Sequence, residues 1–131
     1  IIAQAFGLDS RIRPDMGEVD RRSTGYVPHA RHEALADALF ANPAAGSEGW
    51  EAAKDAQSRI VKAFQDVLPE SSGNILLVGH GAVGTFLWCH LNGLPVARKY
   101  DQPCGGCLWH VVQTGGGFAP RHGWRRLEDC L

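Results

Sequence analysis

The chain has 131 residues, 44% of them apolar, with 13 basic and 14 acidic side chains that give a formal net charge of -1. This length predicts one domain over residues 1–131 with enough chain to bury a core. The near-neutral charge excludes general nucleic-acid binding, and no apolar stretch approaches the roughly 18 residues of a membrane-spanning helix, so neither nucleic acid nor membrane is an expected partner.

The opening stretch, IIAQAFGLDSR, has the pattern of the second half of an amphipathic helix and has no N-cap before it. Because the chain starts inside this element, we expect that an N-terminal portion is missing. No signal peptide is recognisable, and four irregularly spaced cysteines are too few for the disulfide framework of a small secreted domain. These features predict a cytoplasmic location.

Residues 9–28 carry charges, glycines and prolines without a regular period, which predicts a long loop, and loops of this length tend to be functional. A helix that ends at Asn42 is predicted to follow. The next helix is predicted to take Ser47 as its N-cap, with Glu48 and Glu51 near its positive end. The predicted buried faces are Leu35, Ala36, Leu39 and Phe40 in the first helix, and Ala53, Ala56, Ile60, Phe64 and Val67 in the second.

An unbroken apolar run over residues 75–78 predicts a strand covered on both faces, as in α/β sheets. A third helix is predicted over residues 82–92, with Gly93 as a left-handed C-cap. Residues 108–112 and 118–124 flank a run of three glycines and predict an antiparallel hairpin at a sheet edge. The residues of the third helix that we expect to face the core are Val83, Phe86, Leu87 and Leu91.

Cys104 and Cys107 form a Cys-x-x-Cys pair, a spacing that also occurs in redox and zinc sites. Pro103 precedes the pair, two glycines fill it, and neither a helix start nor a second pair follows. We therefore expect half-buried loop thiols, and we predict no metal and no cofactor.

The residues expected to carry chemistry are Gly79, His80 and Gly81, because ligands of α/β sheets collect where a strand is followed by a helix. The glycines let the backbone turn and a ligand approach. The free N–H groups of Gly81 and Ala82 at the helix start favour an anion such as phosphate. His80 can donate a hydrogen bond to a phosphoryl oxygen, or act as an acid or base near neutral pH.

The same motif has two other interpretations. A lone histidine is often satisfied by backbone carbonyls and has no role in chemistry. Gly79, Gly81 and Gly84 also spell Gly-x-Gly-x-x-Gly, the fingerprint of nicotinamide dinucleotide-binding domains. Only a predicted hairpin follows, which leaves too little chain for the rest of such a domain.

The sequence resembles the histidine phosphatase superfamily, which includes the cofactor-dependent phosphoglycerate mutases. The resemblance covers most of the chain and rests on the segments IIAQAFGL, GSEGWEAAKDAQSRIVKAFQDVL, NILLVGHGAVGTFLWCHLNGLP and DQPCGGCLWHVV. It implies an α/β fold in three layers, a mostly parallel sheet with helices on both faces, here without its N-terminal strands.

The resemblance also implies a phosphomonoesterase that works through a phosphohistidine intermediate on a small phosphorylated substrate. His80 is then the second histidine and Glu18, in GEVDRRSTGYV, is the general acid, with Asp20 as its rival. The nucleophile expected in an Arg-His-Gly triplet after the first strand is absent, and the triplet at residues 121–123 leaves no room for the helix that should follow it. A chain that begins at Ile1 is therefore expected to be inactive by itself.

A function of a different class is a non-catalytic module of the same fold that binds a phosphorylated ligand or a protein partner. The missing catalytic parts favour this alternative. A domain without its first strands also exposes a sheet edge and an apolar face that need covering, and a homodimer is one way to cover them.

Overall fold

The computed structural model describes residues 2–130. Its helices are α1 (Ile2–Ala5), α2 (His29–Ala41), α3 (Ala53–Val67) and α4 (Gly81–Leu91), and its short strands are β1 (Cys107–Leu108), β2 (Val111–Thr114), β3 (Gly117–Pro120) and β4 (Arg125–Arg126). Single 3-10 turns occupy Pro14–Met16, Leu68–Glu70, Arg98–Tyr100 and Leu127–Cys130. Within residues 2–130, no helix combines the length and apolar character needed to cross a membrane.

The buried core lies where α2, α3 and α4 meet. Phe86 of α4 is fully buried, and its ring packs on Phe40 of α2 with the ring centroids 5.4 Å apart. The Gln57 amide of α3 donates a hydrogen bond of 2.9 Å to the Phe86 carbonyl. The predicted inner faces of α2 and α3 are confirmed, with Leu35, Ala36, Leu39, Phe40, Ala53, Ala56, Ile60 and Phe64 all buried and Val67 half-buried.

The start of α3 differs from the prediction, because its N-cap is Ala52 and not Ser47. Ser47 is buried, and its carbonyl accepts a hydrogen bond of 2.9 Å from the Trp50 amide in a turn that precedes the helix. This turn buries Trp50, whose indole N–H donates to the Thr24 hydroxyl at 2.8 Å. Because the turn that buries Trp50 follows Ser47, the helix begins only at Ala53, beyond the predicted cap.

The C-terminal elements follow the predictions more closely. Gly93 has φ 63°, and the Leu94 amide donates to the Cys89 carbonyl at 2.9 Å, so Gly93 ends α4 in the left-handed conformation as predicted. Strands β2 and β3 pair antiparallel around the glycine turn, as the hairpin prediction expected. Phe118 of β3 packs edge-on against Phe64 of α3 at 5.3 Å between ring centroids.

The mostly parallel sheet of a three-layer sandwich is not seen in residues 2–130. The described strands form two antiparallel pairs, β1 with β4 and β2 with β3. The predicted strand over residues 75–78 is also wrong for the described structure, because a strand needs a hydrogen-bonded neighbour and no described segment pairs with this one. Leu77 packs against the core, whereas Leu76 and Val78 are 66% and 77% exposed. The run is therefore covered on one face only.

Replacing Phe86 by alanine tests whether the three-helix contact holds the fold together. We expect Phe86→Ala to lower the free energy of unfolding by about 3–5 kcal/mol, because a fully buried aromatic ring leaves a cavity. Urea denaturation measures this loss, and Phe86→Leu, which keeps most of the volume, should lose much less. Equal losses in the two variants would show that the ring does not fill the core in the way described.

Candidate functional site

His80 lies where the sequence predicted it, at the junction between the apolar run and α4. It is the N-cap of the helix, with extended backbone (φ -111°, ψ 159°), and its side chain is exposed and makes no capping hydrogen bond to the described helix. The His80 carbonyl accepts the first helical hydrogen bond, from the Gly84 amide at 3.1 Å. The first N–H groups of a helix have no partner within it, so those of Gly81 and Ala82 lie beside the imidazole as potential anion donors.

Two glycines of the Gly-x-Gly-x-x-Gly pattern make room for side chains of the protein itself. A β-carbon at Gly81 would collide with the Gln102 side-chain oxygen, and one at Gly84 would lie 3.0 Å from the Trp124 ring. These contacts account for both glycines by packing. The pattern therefore needs no dinucleotide to explain it.

The loop predicted over residues 9–28 carries both acidic candidates, Glu18 and Asp20, and is called the acidic loop below. It passes beside the same junction. The Met16 carbonyl oxygen lies 4.0 Å from the position that a β-carbon at Gly79 would take. Glu18, two residues farther on, is half-buried, and its carboxylate accepts a hydrogen bond of 2.9 Å from the Val19 amide. Buried Val19 anchors this part of the loop in the core.

Asp20, the second acidic candidate, is engaged by a neighbouring cation. The Arg22 guanidinium donates hydrogen bonds of 2.5–3.0 Å to both oxygens of this carboxylate. Hydrogen bonds from the Arg22 side chain and amide lower the pKa of Asp20 to about 2. Asp20 is therefore ionised throughout the neutral range.

Arg59 of α3 holds the acidic loop against the helix. Its guanidinium donates to both Glu51 oxygens at 2.7 and 2.9 Å, and to the carbonyls of Asp15, Gly17 and Glu18 at 2.7, 2.9 and 3.2 Å. Glu51 also accepts a hydrogen bond of 3.1 Å from the Asp20 amide. The hydrogen bond from Arg59 lowers the pKa of Glu51, and the Glu51 carboxylate raises that of Arg59.

No feature of the sequence predicts a role for Arg59, and Glu51 is predicted near the positive end of the helix dipole. Three of the bonds made by Arg59 go to backbone carbonyls, and no side-chain pattern marks such acceptors. The sequence shows that Glu51 and Arg59 are eight residues apart. This spacing does not predict that the pair binds the backbone of the acidic loop.

A cleft of about 670 Å³ borders the second half of the loop. Buried Trp50 forms its floor, with the Arg21 guanidinium stacked 5.6 Å from the indole centroid and hydrogen-bonded to His32. The lining residues are Val19, Arg21, Arg22, Gly25, Tyr26, Val27, His29, His32 and Trp50. The cleft is thus cationic and aromatic, and His80 is not part of its lining.

A protein-family model matches most of this chain. The family model described as histidine phosphatase superfamily (branch 1) matches residues 1–124. The chain belongs to the histidine phosphatase superfamily. A search of curated proteins gave no match. Membership confirms the resemblance seen in the sequence and implies the phosphoglycerate mutase-like α/β fold and chemistry of the phosphatase or mutase type.

The Arg-His-Gly triplet at residues 121–123 has a different setting from the one that the superfamily resemblance implies for its nucleophile. His122 lies next to His110, with 2.8 Å between their ring nitrogens, and its backbone carbonyl accepts the Trp88 indole N–H at 3.2 Å. Strand β4 and a 3-10 turn follow the triplet, where the nucleophile motif requires a helix. This agrees with the expectation that the match is a coincidence.

Replacing Glu51 by glutamine tests the Arg59 anchor through its pH dependence. At pH 7 we expect Glu51→Gln to lower the free energy of unfolding by about 1–3 kcal/mol, because a partly buried charge loses its partner. The folded state lowers the pKa of Glu51, so this stabilisation is present above its ordinary value near 4.5 and is lost as the pH falls through the folded-state pKa.

Urea denaturation at neutral and acidic pH measures the difference between Glu51→Gln and the unmodified chain, which should shrink in acid. Glu48→Gln is the matched control, because Glu48 pairs with Arg31 at an exposed position and its loss should cost less than about 1 kcal/mol. A Glu51→Gln effect that is the same at every pH would contradict the assigned ion pair.

Proposed function

We propose that the protein is a phosphomonoesterase of the histidine phosphatase superfamily, acting on a small phosphorylated substrate, and that His80 binds the transferring phosphoryl group. The observation that carries the proposal is the exposed His80 imidazole at the N-cap of α4, next to the first helical turn, whose N–H groups have no partner within the helix. Both kinds of donor suit the charge on phosphoryl oxygens. Catalysis of phosphoryl transfer is mostly positioning and electrostatic stabilisation, which such donors supply.

We assign the general acid to Glu18. A leaving alkoxide must take up a proton, and the carboxyl that gives it must be protonated when the substrate is bound. The pKa of Asp20, held to about 2 by Arg22, argues against that residue as the acid. Glu18 is favoured by its place two residues beyond Met16, whose carbonyl lies near Gly79, and by the hydrogen bond from Arg59 to its own carbonyl.

The proposed reaction has two steps. A nucleophilic histidine attacks phosphorus, the bond from phosphorus to the leaving oxygen breaks, and Glu18 protonates that oxygen. Water then attacks the phosphorus of the phosphohistidine while Glu18 takes a proton from the water, the phosphorus–nitrogen bond breaks, and inorganic phosphate leaves the regenerated histidine. The Arg-His-Gly triplet implied for the nucleophile does not occur in that position within residues 1–131, so we assign the second histidine and the acid to this chain and the nucleophile to the intact protein.

Phosphate binding tests the role of His80. We expect His80→Ala to weaken binding of inorganic phosphate, followed by titration calorimetry, about tenfold or more, because a hydrogen bond to a charged group contributes about 1.5–3 kcal/mol. His90→Ala, an exposed histidine in the last turn of the same helix, should bind as the unmodified chain does. Equal affinity in all three proteins would remove His80 from the site.

The leaving group distinguishes the two acids in the intact protein. We expect Glu18→Gln to lower kcat/KM for an alkyl phosphate about 10²–10⁴-fold, but to change kcat/KM for p-nitrophenyl phosphate little, because kcat/KM reports the steps up to departure of the leaving group and nitrophenolate leaves without a proton. Asp20→Asn is the matched control and should lack this dependence. The reverse pattern would transfer the role to Asp20, and phosphate binding without hydrolysis of either substrate would favour the non-catalytic module.

A further inference from the structure

Cys104 and Cys107 lie close together in the loop that leads into β1. Their Sγ atoms are 3.4 Å apart and both residues are half-buried, so small molecules can reach them. A disulfide requires about 2.05 Å between its sulfur atoms, so a movement of little more than an ångström would close the bond. Cys89 is fully buried and Cys130 is exposed, which makes Cys130 an internal standard for an ordinary accessible thiol.

The surroundings give the two thiols different chemistry. Arg126 of β4 is paired with Cys107 across the β1–β4 ladder, which places a cationic residue opposite the pair. Its hydrogen bond lowers the pKa of Cys104, whereas burial and then the neighbouring Cys104 raise the pKa of Cys107. Thiolates are the attacking species in disulfide exchange, so Cys104 is suited to attack first and Cys107 to react second.

The backbone around the pair is held from outside the loop. The Leu127 amide donates to the Gly106 carbonyl at 3.0 Å, and Gly106 itself has φ 71°, a conformation that suits glycine. Gln102, at the other end of the loop, packs against Gly81 at the start of α4. These contacts join the backbone on both sides of the pair to other elements. Among residues 2–130, no group of three or more His, Cys, Asp or Glu side chains is arranged to hold a metal ion.

We propose that Cys104 and Cys107 form a reversible dithiol–disulfide site that reacts with small-molecule disulfides such as oxidised glutathione. The Cys104 thiolate attacks one glutathione sulfur, the glutathione disulfide bond breaks, and one glutathione leaves and takes up a proton. Cys107 then loses its proton and attacks Cys104 Sγ, which expels the second glutathione as a thiol. Two protein thiols are oxidised to one disulfide, and one glutathione disulfide is reduced to two thiols.

Mass spectrometry of the folded protein tests this proposal without reference to phosphatase activity. The protein is equilibrated in glutathione buffers of increasing oxidised fraction, quenched with N-ethylmaleimide and digested with trypsin. Cleavage after Lys99 and Arg121 gives a peptide of residues 100–121 that contains Cys104 and Cys107 and no other cysteine. We expect this peptide to lose the mass of two hydrogens and to escape alkylation, while Cys130 carries glutathione or maleimide.

Single variants test the order of attack. Cys107→Ser should accumulate Cys104 as a mixed disulfide with glutathione, whereas Cys104→Ser should leave Cys107 mostly reduced. Arg126→Gln should slow the oxidation of Cys104 several-fold and leave the rate at Cys130 unchanged. The proposal is overturned if residues 100–121 stay fully alkylated in every buffer, if they carry two glutathiones and no internal disulfide, or if the two serine variants behave alike.

Discussion

The ion pair between Arg59 and Glu51 fixes the acidic loop on which the proposed site depends. A guanidinium has five N–H donors, and Arg59 uses them on two carboxylate oxygens and three backbone carbonyls of the loop. A loop without regular secondary structure leaves its carbonyls without partners, so a cation that stays charged at every relevant pH is a suitable anchor. Helix α3 thereby sets where Glu18 lies.

Helix α4 joins the core to the phosphate-binding end of the site. Buried Thr85 accepts the Trp124 indole N–H at 3.1 Å and donates to Asp101 at 3.2 Å. Asp101 in turn accepts from Arg98, which also pairs with Glu33 and Asp37 of α2. The helix that carries His80 at its N-cap is therefore held by Trp124 near the C-terminus, and through Asp101 and Arg98 by α2. A helix that is fixed by several contacts keeps the hydrogen-bond donors at its N-terminus in place when an anion binds.

The apolar run before His80 shows why a local pattern can mislead. Leu77 is the one residue of the run that packs on the core, whereas Ile75, Leu76 and Val78 are exposed. The composition predicted a strand covered on both faces. Strand pairing and the second cover depend on other segments, and the described residues supply neither.

The sequence by itself determined the helices of the core, the left-handed Gly93 and the position of His80 at a helix start, because these depend on residues close together in the chain. Membership of the superfamily could also be read from it. Only the tertiary structure decided that the turn around Trp50 moves the start of α3 from Ser47 to Ala53. It also decided that Arg59 binds the loop that carries Glu18, and that Arg126 lies opposite the pair of cysteines. Each of these contacts joins segments far apart or uses backbone acceptors, and such pairings leave no periodic pattern in a sequence.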